Sequence, residues 1–285
     1  MVKLFKSIIG IRNEINGWNG QYQVAFVPTM GALHEGHLSL IDFAAQYGRV
    51  IVSIFVNPLQ FGPQEDFNRY PRQLEKDIEL IADRAHVVFA PQSDEMYPSG
   101  QENSITVLAG KIGLLYEGKQ RHGHFNGVLT VLTKLFNIIQ PNVVVLGQKD
   151  AEQVFVVREM VHQLNFPIKI YAAPTLREPN GLAMSSRNRY LSNEERSVAG
   201  RIYRALMEAK NTASKGHPTA NIRKAAMGIL EECLPLFKLD YLEIVEEKTF
   251  KAIDDSTKFK GLALVLVAAF VGSTRLIDNI EIEIL

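Results

Sequence analysis

His34 and His37 stand three positions apart in Thr29-Met-Gly-Ala-Leu-His-Glu-Gly-His37, with Gly36 between them. An imidazole can hold a metal, pass a proton, or donate to a phosphate. The apolar run Gln23-Val-Ala-Phe-Val-Pro28 before the pair reads as a buried strand, and Leu38-Ser-Leu-Ile-Asp-Phe-Ala-Ala45 after it as a helix. In an open α/β sheet, ligands bind where a strand hands over to a helix. The orphan N–H groups and positive dipole end of the helix favour an anion there. Gly31 and Gly36 would let a ligand approach the backbone closely. Contact with a nucleotide phosphate is therefore the first reading. A plain loop residue followed by a satisfied helix-start residue is the second, and zinc a distant third. His-Glu-Gly-His is not the H-E-x-x-H spacing, and no cysteine cluster supplies further ligands, so no protein metal site is expected.

Three other segments could carry chemistry. Leu146-Gly-Gln-Lys-Asp150 follows an apolar run and opens a helical pattern. Lys149 there could set a point charge on triphosphate oxygens, which explains a cation where the helix dipole disfavours one. Asp150 could cap the helix or bind a ribose hydroxyl. Gly181-Leu-Ala-Met-Ser-Ser-Arg-Asn188 suits a mobile phosphate clamp, although a solvated loop often has the same composition. Phe55-Val-Asn-Pro-Leu-Gln-Phe-Gly62 places Gln60 just past a strand broken at Asn57-Pro58. A neutral amide suits a hydroxylated organic acid, because it leaves the carboxylate free to act as nucleophile. Arg69, Arg72, Arg121, His122 and His124 are further polar candidates. Arg121-His-Gly-His-Phe could be a metal tract, but no acidic partner lies near it in sequence. Neither G-x-G-x-x-G nor G-x-x-x-x-G-K-[ST] occurs, against a dinucleotide dehydrogenase or a P-loop kinase.

The elements that must hold these segments alternate. Strand candidates are 23–28, 50–56, 86–90, 143–146 and 167–172, with helical patterns near 37–47, 71–84, 127–139 and 150–164. Unalternating apolar runs separated by helices predict an α/β fold, a parallel sheet covered on both faces. Pro174 to Asn193 reads as a long loop. Helices over 193–213 and 218–236 and strands over 239–246, 262–271 and 274–283 then predict a smaller α+β domain, with the boundary near 174–176.

Composition narrows the class. Lys+Arg and Asp+Glu are 31 each among 285 residues, so no polyanion-binding surface is indicated. The apolar fraction of 46% supports a full core. Cys233, the single cysteine, fits a reducing cytosol and reads as a small buried hydrophobe in a helix. Met1 to Gly10 lacks a long apolar stretch and a small-residue cleavage site. The run Leu262–Val271 is far short of the roughly 20 residues a spanning helix needs. The expectation is a soluble cytoplasmic protein.

Taken together, Thr29 to His37, Phe55 to Gln60, Gly147 to Asp150 and Met184-Ser-Ser-Arg-Asn188 resemble the pantoate–β-alanine ligase (pantothenate synthetase) family, in its order and spacing. The likeness runs from about residue 20 to Arg275-Leu-Ile-Asp-Asn279 and beyond. His122 replaces a usual proline and Leu146 a frequent aromatic, neither of them a chemical position.

The resemblance implies a superfamily of nucleotidyl-transferring enzymes with an H-x-G-H motif. It implies a Rossmann-like domain over 1–174 and a C-terminal α+β domain over 175–285. It implies ligation of (R)-pantoate to β-alanine through a pantoyl adenylate, with ATP as substrate and Mg²⁺ beside it, in a cytoplasmic homodimer. Met30, Gly31, Ala32, Leu33, His34, Glu35, Gly36 and His37 match the first ATP segment, with His37 in the proton-donor position. Gly147, Gln148, Lys149 and Asp150, then Met184, Ser185, Ser186 and Arg187, match the others, and Leu176 a backbone adenine contact. Gln60 matches the residue shared by pantoate and β-alanine, and Gln153 a second pantoate contact. His34, His37, Lys149, Ser185, Ser186 and Arg187 are the groups suited to phosphoryl charge. Two other readings stand beside the ligase: a nucleotidyltransferase acting on a phosphate monoester, and a non-catalytic nucleotide sensor.

Overall fold

The computed structural model describes residues 2–18, 20–63, 65, 67–232 and 235–285. Cys233 lies outside them, and so does the reading made of it. The chain packs as two compact units, Met1–Gly147 with Glu152–Ala173, and Gln148–Ala151 with Pro174–Leu285.

The first unit runs β1 (Lys3–Phe5), α1 (Ile8–Asn16), β2 (Val24–Thr29), α2 (Glu35–Ala44), β3 (Arg49–Ile54), α3 (Leu74–Ile81), β4 (Val87–Phe89), α4 (Ser93–Met96), α5 (Tyr116–Gln120), α6 (His124–Ile139), β5 (Val143–Gly147), α7 (Ala151–Gln163) and β6 (Lys169–Ala173). Its six strands form one parallel sheet in the order β1-β4-β3-β2-β5-β6. Strand faces explain the unalternating runs. Phe26, Ile51 and Val144 point into one core with α6, while Ala25, Val27, Val50, Val52 and Val145 point into another with α2. Both faces of each central strand are buried, as a helix-covered parallel sheet requires. Strand order reverses between β2 and β5, so the chain leaves both strands at a topological switch point, the ligand-binding place of this architecture.

The second unit adds α8 (Asn193–Ser214), α9 (Thr219–Glu231), β7 (Phe237–Glu246), β8 (Gly261–Val271) and β9 (Thr274–Ile284). The three strands form an antiparallel sheet in the order β7-β8-β9. Val265, Val267 and Ala269 of β8 meet Ile202, Ala205, Leu206 and Ala209 of α8 in its core. Ser192 starts α8 with a capping box to Glu195. Among the described residues, no helix is long and apolar enough to cross a membrane.

The expected α/β sheet and the smaller α+β part are both present. β1, with only three residues and an exposed pattern, carries no periodic signal and was not anticipated. Helix α2 starts at Glu35 rather than 37, because His34 is its cap.

Candidate active site

The turn after β2 is held by bonds to β3 and α3 and by one within itself. Thr29 Oγ1 donates to the Ser53 carbonyl at 2.7 Å and accepts from Gly31 N–H at 3.2 Å. The buried Asp77 carboxylate, on α3, accepts from Ala32 N–H and Leu33 N–H, both at 2.9 Å. These bonds hold Ala32 at φ 52°, a left-handed conformation that costs a side-chain-bearing residue roughly 1–2 kcal/mol. Gly31 is at φ 82°, and a Cβ there would lie 2.9 Å from Asp77 Oδ2. Only glycine fits that space.

His34 and His37 then cap α2 with their rings. His34 Nδ1 accepts from Gly36 N–H at 3.1 Å, and His37 Nδ1 accepts from His34 N–H at 3.3 Å. The ring centroids are 4.2 Å apart. With each Nδ1 acting as acceptor, geometry assigns the ring hydrogen to Nε2. Each ring is therefore a neutral donor fixed at a helix N-terminus. Of the three sequence readings for this pair, the first two were phosphate contact and a structural place at the helix start; the geometry allows both at once, on different nitrogens.

Gln60 lies on a 3₁₀ turn, Pro58–Gln60, just past β3. Buried Tyr97 donates to Asn57 Oδ1 at 2.7 Å, and burial pushes its phenol pKa up, so the hydroxyl stays a donor. Asn57 Nδ2 donates to Gln60 Oε1 at 3.0 Å and to the Gly127 carbonyl at 3.1 Å. Gln60 Nε2 is thereby aimed at Met30 Sδ, 3.0 Å away. The first histidine segment and Gln60 thus meet through Met30. Gly127 lets α6 close on this turn, since a Cβ there would sit 2.2 Å from the Leu59 carbonyl oxygen. Gln153 is half-buried on α7.

The polar groups of the Arg121-His-Gly-His tract pair with protein partners. Among the described residues, no group of three or more His, Cys, Asp or Glu side chains could hold a metal ion. The acidic partner missing nearby in sequence comes from far along the chain: Arg121 grips Glu65 with bonds of 2.9 and 2.6 Å. Arg121 Nη1 also donates to His124 Nε2 at 2.9 Å, while His124 Nδ1 donates to the Gln60 carbonyl at 2.9 Å. Burial and the Arg121 charge push the His124 pKa down to about 4. The unfolded chain therefore binds a proton here first, and the stability present above about pH 6.5 is lost as pH falls toward 4. The expected loss by pH 4.5 is on the order of 2 kcal/mol. Urea unfolding of the parent and His124→Asn at pH 7 and 4.5 checks it, and an equal pH slope in both would refute the assignment.

In the second unit, Lys149 lies on a 3₁₀ turn, Gln148–Asp150, that follows β5 directly. Its ammonium is 3.6 Å from Asp150 Oδ1, a long contact that leaves the pair open. The Asn279 side chain donates to the Gln148 and Lys149 carbonyls, both at 2.9 Å.

The 174–193 segment is a loop, as expected, with one 3₁₀ turn, and it is tied down at several points. Arg177 and Ala183 form a β-bridge, and Leu176 accepts from Met184 N–H at 2.9 Å. Arg177 binds buried Asp278 with bonds of 2.6 and 3.0 Å and stacks on Tyr203. Glu178 accepts from Arg196 Nη1 at 2.6 Å and from Asn188 Nδ2 at 2.8 Å. Ser185 caps the 3₁₀ turn Ser186–Tyr190 by accepting from Arg187 N–H at 3.3 Å. Two charged pairs far apart in sequence thus replace an apolar pattern, which is why periodicity did not reveal the order.

Residues 3–281 match the family model described as pantoate-beta-alanine ligase. The chain belongs to the pantoate–β-alanine ligase family. A pantothenate synthetase of Leifsonia xyli is 51% identical over 263 residues, covering 92% of this chain and 90% of that one. One of Thermobifida fusca is 49% identical over 271 residues, covering 92% and 90%. The crystal structure of the Thermus thermophilus pantothenate synthetase has a TM-score of 0.90 at 41% identity, covering 98% of this chain and 99% of that one. The Francisella tularensis pantoate-beta-alanine ligase, solved with beta-gamma ATP and beta-alanine, has a TM-score of 0.78 at 34% identity, with coverages of 98% and 97%.

Within the family frame, sequence reasoning missed Asp77, Tyr97, Arg177, Asp278 and Asn279, and read Asn57 only as a strand breaker. Each bonds to a neighbouring segment, and although Asp278 and Asn279 fall in the family-like Arg275–Asn279 stretch, no role was read for them. Burial of a polar residue was the available signal, and burial is not visible in one sequence.

Proposed function

We propose that this chain condenses pantoate with β-alanine, driven by ATP. The pantoate carboxylate attacks the α-phosphate, forming pantoyl adenylate and releasing pyrophosphate. The amine of β-alanine then attacks the acyl carbon, loses a proton, and displaces AMP to leave the amide. The observation that carries this reading is the histidine-capped turn at the β2/β5 switch point, in a chain that matches the ligase family over residues 3–281. The Francisella relative, with its nucleotide and β-alanine, supports the same substrates.

His34 and His37 donate from Nε2 to phosphate oxygens. Since His37 Nδ1 already accepts a backbone N–H, the ring stabilises charge as a neutral donor without moving a proton. Lys149, Ser185, Ser186 and Arg187 serve the negative charge shifting to pyrophosphate, and Leu176 and Met184 border the adenine. Met30 to Gly36, Gly147, Gln148 and Asp150 line the nucleotide. Gln60, its amide fixed by Asn57, holds pantoate and then β-alanine, with Gln153 on pantoate.

Magnesium reaches such sites on the triphosphate and takes one or two carboxylates besides phosphate and water. Asp150, its side chain 48% exposed beside Lys149, is a carboxylate of that kind. The ion would neutralise pyrophosphate as it leaves. A homodimer and a cytoplasmic setting go with this reading.

The test is purified protein with ATP, Mg²⁺, pantoate and β-alanine. AMP should form only when both organic substrates are present. Pyrophosphate release without AMP would sink the reading and revive transfer to a phosphate monoester, which the ligase relatives do not favour.

A further inference from the structure

Two neighbouring residues of β9, Asp278 and Asn279, are both buried and polar, at 5% exposure each. Successive residues of a strand point to opposite faces. A polar pair in such a place needs partners on both sides, and each residue finds its partners on a different segment.

Asn279 binds the Lys149 turn at three points. Its Nδ2 donates to the carbonyls of Gln148 and Lys149, and its Oδ1 accepts from Gln148 Nε2 at 3.3 Å. Both amide hydrogens are used on the backbone that carries the lysine. A lysine side chain has four rotatable carbons, so it delivers a directed charge only where its backbone is fixed. Asp278 takes the Arg177 guanidinium in a fork and also accepts from Asn279 N–H at 2.8 Å. Arg177 belongs to the β-bridge to Ala183, two residues before Ser185. A cavity of about 10 Å³, room for about one water, is lined by Lys149, Ser185 and Asp278 among others.

We propose that Asp278 and Asn279 are a positioning pair that sets both cation-bearing segments of this unit, Lys149 and Met184–Arg187, for the phosphates of ATP. The inference rests on the reading that Lys149 meets phosphate. Neither residue touches the nucleotide. Asn279 acts through the Lys149 peptide, and Asp278 through Arg177 and its bridge. One edge strand thereby reaches back along the sequence to fix both segments, Asn279 meeting the Lys149 peptide across 130 positions.

The test separates the half-reactions. Pyrophosphate release from ATP and pantoate is followed in a single turnover, and AMP release from synthetic pantoyl adenylate with β-alanine separately. Asn279→Ala should slow the first step about tenfold or more, the scale of a small misplacement, through kcat rather than the KM for ATP. It should leave the second step near the parent rate, which also certifies folding. Asn279→Asp keeps the size but turns a donor toward two carbonyls into an acceptor, so its loss should be the steeper one. A space-filling role would leave Asn279→Asp near the parent. Parent-like first steps in both variants, or equal losses in both half-reactions, overturn the proposal. Should Asn279→Ala fail to fold, the isosteric Asn279→Asp decides by the same two rates. Lys149→Ala runs in parallel. If it keeps the first step, the phosphate reading fails; if it loses the step while both Asn279 variants keep it, only the positioning inference fails.

Discussion

Lys149→Ala is expected to slow pantoyl adenylate formation at least about a hundredfold, on the order of 3 kcal/mol of lost transition-state stabilisation. Removing a single preorganised electrostatic group commonly has this size of effect. The lysine qualifies on geometry. Its side chain is 20% exposed, so water screens it only in part. The Asp150 carboxylate stays 3.6 Å away, a long contact for an ion pair. Its backbone is fixed by the Asn279 amide, so the charge is aimed before substrate arrives. In the proposed role the lysine serves charge shifting to pyrophosphate, which leaves only in the adenylation step, so the loss should fall there. A burst assay of pyrophosphate release measures it. Lys149→Arg keeps the charge on a planar fork and should recover part of the rate. A wild-type burst in Lys149→Ala would remove the lysine from the mechanism.

How far the sequence led depended on what kind of interaction holds each part. Unalternating runs such as Val50–Val56 revealed the parallel sheet because burial on both faces is a compositional property of a strand. The histidines, Gln60, Lys149 and the Ser185–Arg187 stretch stood out because their side chains are unusual at strand ends. The supports of those side chains did not stand out. Asn57 pairs with Tyr97 across 40 positions, Arg121 with Glu65 across 56, and Arg177 with Asp278 across 101. A hydrogen bond of that kind leaves no period and no local spacing. It also explains why 174–193, poor in apolar residues, is nonetheless held in place. The switch point between β2 and β5 was likewise hidden, because strand order is decided by long-range pairing and not by any one segment.

The same reasoning gives Asp77 the largest expected effect on stability. Its carboxylate is 1% exposed and accepts from two backbone N–H groups and from Gln73 Nε2 at 3.2 Å. In Asp77→Ala both backbone donors stay buried without an acceptor, and each such donor costs about 1–3 kcal/mol. The expected loss is roughly 3 kcal/mol, a large part of a domain's usual 5–15 kcal/mol. Part of it is offset, because Ala32 no longer has to hold φ at 52°. That relief is the functional damage. Once Ala32 and Leu33 leave their strained turn, the following residue, His34, loses the frame that sets its cap on Gly36. Both Nε2 groups, proposed above as phosphate donors, then lose their places, and a displacement of about 1 Å can cost on the order of a hundredfold in rate. Asp77→Asn keeps one oxygen acceptor but turns an N–H₂ group toward the other backbone donor. It should therefore lie between parent and alanine in urea midpoint and in adenylation rate alike. Equal midpoints for parent and Asp77→Ala would show that the turn holds itself. A shifted midpoint with an unchanged adenylation rate would show that the histidines do not depend on it.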